Sequence, residues 1–253
     1  MQLNPSIFEK DLRQLMASQS IAEIDYALLR AGLICLSQIY EFGEVSGIAM
    51  IDTSFSNQAL EKYDPLGFTW GTADRKTRVA AYARSLEKCK KLYGNKRLSS
   101  EEMAAFRAST AGKEWRAILK ESENINVDDP KAVVTVDKVM STPLLGAIYS
   151  TTLNLDHAAL EKMYGDKAPT GVFQEIVATM VMCRMGENCS PTSPVSEQLC
   201  WMNGICKPNL TADEAMLANL MERGFNTDAL NAYVNAIYVR MLARDLTLFR
   251  RNN

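Results

Sequence analysis

Histidine is almost missing from this sequence: His157 is the only one in 253 residues. That excludes His-rich metal sites and the H-E-x-x-H zinc pattern. It leaves one candidate base for a Cys-His or Ser-His pair, and no G-x-S-x-G elbow accompanies it. His157 follows Asp156 at an expected helix start, where the dipole disfavours a charged ring. It is expected to be a capping or surface residue. Glycine (13) and proline (8) are sparse, which favours long helices over many short strands with tight turns. No run of about 18 apolar residues occurs, so no segment is expected to cross a membrane. Charge of one sign is not in excess: 28 Lys and Arg against 30 Asp and Glu give a net charge of −2. A dedicated nucleic-acid binder is usually strongly basic, so nucleic acid is an unfavoured partner. A C-x-x-C dithiol and a glycine-rich phosphate loop are also missing, which removes thioredoxin-type redox and P-loop chemistry.

What remains is ordinary globular composition, 47% hydrophobic and 23% charged, enough for a sizeable core without staples. The reading is an all-α protein, an irregular multi-helix bundle of about nine to ten helices. It forms a single domain over residues 1–253, with a possible subdomain boundary in the polar stretch near 122–130. Four capping boxes mark helix starts: Ser6–Glu9, Ser20–Glu23, Ser99–Glu102 and Thr211–Glu214. The second opens an apolar helix with Ile21, Ile24, Leu28, Ala31, Cys35 and Ile39 on it, closed by Gly43. Residues 43–72 are the least periodic, with a short strand or helix at 48–51, a turn at Asp64-Pro-Leu-Gly67, and Phe68 and Trp70 as core plugs. A helix over 73–93 is capped by Thr72 and stopped by Gly94. From Ser99 one helix runs to about Glu121, and its Gly112 admits a close neighbour. Helices at 130–140 and 143–152 follow Asp129-Pro130 and Thr142-Pro143. The valines of the first leave a strand as the alternative. Then come a short helix from Asp156 to Tyr164, an apolar helix over 171–185 ending at Gly186, and one from Ser193-Pro194 to Gly204. A helix from Thr211 to Arg223 is stopped by Gly224. The last helix is capped by Thr227 and buries Leu230, Tyr233, Val234, Ile237, Met241, Leu242 and Leu248.

The most distinctive stretch is Cys183-x5-Cys189-x10-Cys200-x5-Cys206, which holds four of the six cysteines. Positions six apart on a helix point about 240° apart, so neither pair can close on one helical face. Gly186 and Gly204 remove the difficulty if each ends its helix in the left-handed conformation and turns the chain back. Local pairing, Cys183–Cys189 and Cys200–Cys206, is the favoured reading. The crossed pairing, Cys183–Cys206 with Cys189–Cys200, is the alternative. Cys35 and Cys89, on separate helices, are candidates for a third bridge. A structural zinc site favours two to four residues between its cysteines, so a gap of five argues against one. The result is a disulfide-pinned helical hairpin. Its spacing over 183–206 resembles a C-terminal signature of uncharacterised exported helical proteins of Gram-negative bacteria. That resemblance implies an exported bacterial protein and carries over no catalytic residue. The opening Met-Gln-Leu-Asn-Pro-Ser lacks the basic and apolar regions of a signal peptide. The expected location is therefore periplasmic or secreted, with the signal removed; a cytoplasmic protein with reduced thiols is the alternative.

Between Asp74 and Arg97 stand nine Lys or Arg against two acids. Arg84, Lys88 and Lys91 share a helix face, with Tyr82 and Tyr93 interleaved. This face is a solvated surface or a partner-binding ridge. Ser85-Leu-Glu-Lys88 matches S-x-x-K but lacks its K-T-G companion. Glu101, Glu102, Glu121, Asp128 and Asp129 are candidate carboxylates for glycoside hydrolysis, though Glu102 already has a capping role. The sequons Asn188-Cys-Ser190 and Asn209-Leu-Thr211 carry no expectation in a bacterial protein. Met180, Met182, Met185 and Met202 read as core filler. No catalytic residue, metal site or cofactor is assigned. The expected function is non-enzymatic binding of another macromolecule, of the inhibitor, immunity, envelope or secretion-accessory type. The alternatives are a cell-envelope polymer hydrolase with paired carboxylates and a nucleic-acid-binding or injected protein that uses the basic helix at 75–97.

Overall fold

The structure, a computed structural model, describes residues 10–18, 20–33, 71–93, 99–123, 125, 131–141, 144–153, 155, 158, 162 and 170–245. Those residues form eleven helices and no β-strand: α1 (Leu12–Met16), α2 (Ile21–Leu33), α3 (Arg75–Tyr93), α4 (Ser100–Ala108), α5 (Thr110–Glu123), α6 (Lys131–Ser141), α7 (Leu145–Leu153), α8 (Thr170–Arg184), α9 (Pro194–Asn203), α10 (Ala212–Glu222) and α11 (Thr227–Leu242). The all-α class is as read, and the valine-rich segment at 131–141 is a helix rather than a strand. Outside the described residues lie the expected Ser6–Glu9 start, Cys35, Gly43, the features of 48–70, Gly94, Asp128, Asp129, His157 and Leu248.

Most helix starts follow from one polar side chain satisfying an otherwise unpaired backbone donor. Ser99 Oγ accepts from Glu102 N at 3.1 Å while Glu102 Oε2 accepts from Ser99 N at 2.7 Å. A reciprocal pair not anticipated from the sequence, Asp11 with Gln14, starts α1. Two expected caps fall on neighbouring residues instead. Asp74, not Thr72, caps α3 by accepting from Thr77 N at 2.8 Å. Asn226, not Thr227, caps α11 by accepting from Ala229 N at 3.0 Å. In both cases an Asx side chain reaches the third amide of the helix, and the nearby threonine loses the competition.

The helix expected over 99–121 is broken. Ser109 adopts an extended conformation, its hydroxyl donates to Phe106 O at 2.7 Å, and it accepts from Gly112 N at 3.0 Å. One serine therefore closes α4 and starts α5. A Cβ on Gly112 would lie 2.1 Å from Phe106 O, so the close neighbour is the end of α4 itself.

The main core is organised around α7, which packs against α2, α5, α6 and α8. Leu144, Leu145, Ala147 and Ile148 are at most 2% exposed; complete burial of a leucine or isoleucine typically contributes about 1.5–3 kcal/mol. On its other side α8 packs against α10 and α11, burying Val177, Met180, Val181 and Met182 against Leu220, Leu230, Val234 and Ile237. The last helix buries Leu230, Val234, Ile237 and Met241 as read, but Leu242 is exposed. Next to the polar stretch near 122–130, α5 packs against α2, α6 and α7.

A second apolar cluster lies between α3 and α9. Ala81, Tyr82 and Leu86 meet Cys200 and Trp201, and the Tyr82 and Trp201 rings meet edge-on with centroids 5.2 Å apart. This module joins the main body through α1 on one side and α10 on the other. Arg13 of α1 bridges it: its guanidinium donates to Tyr93 O at 2.7 Å, at the end of α3, and to Glu102 at 2.8 Å.

Candidate binding cleft between the basic helix and the disulfide hairpin

Both hairpin disulfides are local, Cys183–Cys189 and Cys200–Cys206, with Cα separations of 5.6 and 4.3 Å. The glycines do what the spacing requires. Gly186 has φ of 107° and Gly204 φ of 70°, so each helix ends in a left-handed residue and the chain folds back before the next cysteine. Beyond that, Gly204 meets Gly71: Gly71 N donates to Asn203 O at 2.6 Å, and a Cβ on Gly71 would fall 2.1 Å from Gly204 O. The hairpin end is thus fastened to the segment leading into α3 by backbone contact that only glycine permits. At the other end Ala212 N, at the start of α10, donates to Cys189 O at 2.8 Å. Cys89 is buried and disulfide-bonded; Cys35, the partner expected for it, is outside the described residues.

The basic face of α3 turns toward this hairpin. Arg78, 4% exposed, donates from Nε to Trp201 O at 3.0 Å and from Nη2 to Met202 O at 2.8 Å. A cation at the carbonyl end of α9 is favoured by the helix dipole; burial pulls its guanidinium below the ordinary arginine value. Arg84 forks onto Glu197, Nε to Oε1 at 2.7 Å and Nη2 to Oε2 at 2.9 Å. That bond raises the arginine's affinity for its proton. Lys88 donates to Thr192 O and lies 3.6 Å from Glu197 Oε1. The three cations run along α3 while their partners run backwards along the hairpin, so α3 and α9 are antiparallel. Lys91, the third residue of the expected face, is exposed.

A cleft of about 580 Å³ opens where α3, α9 and the start of α10 meet. Arg84, Lys88, Glu197 and Lys207 supply its charged groups, with Thr77, Thr192 and Ser196 beside them. Its apolar lining includes Leu199, Ile205, Pro208 and Leu210, together with the Cys200–Cys206 sulfurs. The volume lies within the range of small-ligand pockets, roughly 300–1,000 Å³. Lys207 is paired with exposed Glu222. The cleft is therefore an apolar trough with a charged margin, and the disulfide holds its wall.

Other charged positions do not converge. Glu101 and Glu102 sit at the start of α4, where Glu102 caps the helix and binds Arg13, and Glu121 accepts from Thr135 at 3.3 Å on another face. Among the described residues no three His, Cys, Asp or Glu side chains are grouped so as to hold a metal. Ser85 and Lys88 of the S-x-x-K match do not form a pair: Ser85 is buried, and Lys88 reaches Thr192 O.

Two residues matter that the sequence reading passed over. Glu197 is 5% exposed yet charged on both flanks by α3. Its signal is an acid in the first turn of a helix whose other residues are largely apolar. Asp25 is 1% exposed at the meeting of α2, α5 and α7. It accepts from Trp115 Nε1 at 3.0 Å and Gly146 N at 2.7 Å, capping α7 from a different helix. Burial pushes its pKa up to about 6, while the bonds from Trp115 and from the Gly146 and Ala147 amides pull the other way. An acid between Ile24 and Tyr26, at the head of the apolar run Tyr26–Leu29, was the available signal. Burial also pushes Tyr149 up to about 12, helped by the charge of Glu175. Both residues line a smaller, 140 Å³ cavity between α7, α8 and α9.

No family model, curated protein or solved structure matches this chain.

Proposed function

We propose that this chain is a non-enzymatic, exported helical protein that binds another macromolecule, and that the cleft between α3, α9 and α10 is its docking site. One observation carries this reading: two features that stand about a hundred residues apart in sequence, the basic helix face and the cysteine stretch, build the two walls of one cleft. The hairpin around it is fastened by two disulfides, a backbone glycine contact and a charged clamp. So much bracing of a module with only a small apolar cluster supports a rigid, pre-formed recognition surface. Two local disulfides support an oxidising compartment, and no described helix is long and apolar enough to cross a membrane.

A photo-crosslinking residue placed at Leu210, compared with one at exposed Lys113 on α5, tests the site in the native compartment. The expected outcome is a discrete crosslinked species from position 210 and none from 113. Equal or absent crosslinking would remove the cleft as a docking site. Intact mass before and after reduction tests the compartment: a gain of about two mass units per bridge is expected, and free thiols in protein from its source would end the export reading.

A further inference from the structure

We infer that the cleft takes a short acidic segment of a partner protein, one carboxylate beside an apolar side chain, rather than a basic or purely apolar segment. This rests on the docking reading above and specifies its chemistry. Three cations line the cleft, Arg84, Lys88 and Lys207, against one lining carboxylate, Glu197. Among the described lining residues cations therefore outnumber carboxylates, on a chain whose net charge is −2, and Lys207 is also paired with Glu222 from outside the lining. Glu197 is itself buried and engaged by Arg84 Nε and Nη2 and flanked by Lys88, so it is shielded from an incoming ligand. Arg84 keeps a 55% exposed side chain, and its fork on Glu197 leaves Nη1 outside the pair.

Two helix ends also reach the cleft. Thr192 and Ser196 bring the N-terminal end of α9 to the cleft, and Leu210 and Ala215 bring that of α10. Helix N-termini carry partial positive charge, but acids already occupy these first turns, Glu197 on α9 and Asp213 and Glu214 on α10, so the preference for an anion rests on the lining cations. The apolar lining, Leu199, Ile205, Pro208 and Leu210, then asks for a hydrocarbon group next to that carboxylate. A free inorganic anion would leave this lining against water, and a basic segment would meet three like charges, so an acidic-apolar peptide satisfies both halves of the site.

The test uses the full oxidised chain and fluorescent tetrapeptides, acetylated at the N-terminus and amidated at the C-terminus, in which one Asp or Glu adjoins Leu, Ile or Phe, each with its Asn or Gln twin. Charge-assisted hydrogen bonds predict that the carboxylate peptides bind about tenfold more tightly than their amide twins. Lys207→Gln should lower that affinity by about threefold or more and Lys207→Arg should restore it, because only the charge is altered. Leu210→Gln should weaken carboxylate and amide peptides alike. Circular dichroism and intact mass confirm that each variant is folded and oxidised. Equal affinity of the twins, or no binding of any acidic peptide at millimolar concentration, overturns the inference. If position 210 still crosslinks a partner in that event, docking stands and only its acidic chemistry falls. If acidic peptides bind but no partner crosslinks, the macromolecular reading fails instead.

Discussion

Asp25 and Glu197 are two of the three buried carboxylates among the described residues, with Glu187 the third, and the regions that hold these two solve the same problem differently. Glu197, in the disulfide module, is met by the guanidinium of Arg84 and the ammonium of Lys88. Asp25, in the main core, is met by N–H groups of Trp115, Gly146 and Ala147. Cations neutralise a buried charge at the margin of a cleft, where their own far sides stay in water. Neutral donors only partly offset burial, so Asp25 remains drawn toward its protonated form. The first arrangement clamps two long-range elements together. The second ties three helices at one point and makes the core sensitive to pH.

The comparison can be broken most severely at Trp201, the ring at the centre of the module. Trp201→Ala should cost about 3–5 kcal/mol. Native-state hydrogen exchange should show faster opening of α3 and α9 with α7 and α8 little changed. Equal loss everywhere would mean that the module and the core are one cooperative unit.

A pH series sharpens the other half. The folded pKa of Asp25 is raised from 3.8 to about 6, so the folded state retains a proton that the unfolded chain releases. The associated stability is complete below the unfolded value and is lost as pH rises through about 6, a total of about 3 kcal/mol. Denaturation midpoints for the protein and Asp25→Asn at pH 4, 5, 6 and 7 should diverge in slope. The variant lacks the decline contributed by this carboxyl, and parallel curves would count against the assignment.

Removing one bridge tests the module more gently. Cys200→Ser with Cys206→Ser should cost about 2–3 kcal/mol, the loop-closure value for so short a ring. Peptide binding at the cleft should fall with it, since Cys206 and Ile205 line the wall. Unchanged binding would show that the Gly71–Gly204 contact suffices.

The smallest contrast lies within α3 itself. Lys88→Gln removes a contact to Thr192 O and should cost about 1 kcal/mol, whereas exposed Lys91→Gln should stay within about 0.5 kcal/mol. Urea titration of the two variants separates a clamp from a solvated face.

What could be read from the sequence follows the range of each interaction. Capping at Ser99, the proline start after Ser193, and the left-handed stops at Gly186 and Gly204 involve partners within a few residues, so spacing alone carries them. The local disulfides are only partly of that class: a glycine inside a six-residue gap lets that gap close, but the same spacing allows the crossed pairing, and the fold decides between them. Errors arose where neighbours compete locally, as with Asp74 against Thr72, or where one hydroxyl serves two helices, as at Ser109. The role of the basic face was less legible. Arg84 and Lys88 share a face by periodicity, but what that face meets is Glu197 and Thr192, more than a hundred positions away.

By itself, then, the sequence determined the all-α class, most helix positions, the glycine stops that let two short disulfide rings close, and the shared face of Arg84 and Lys88, since each is set by backbone sterics, hydrogen bonds and side-chain periodicity over a few residues. Only the tertiary structure decided that α3 and α9 lie antiparallel, that Arg78, Arg84 and Lys88 are engaged by the hairpin, that Asp25 caps a helix other than its own, and that a cleft remains between the clamp and α10. Those outcomes depend on how apolar faces pack across the chain, and packing brings together charges that no local spacing relates.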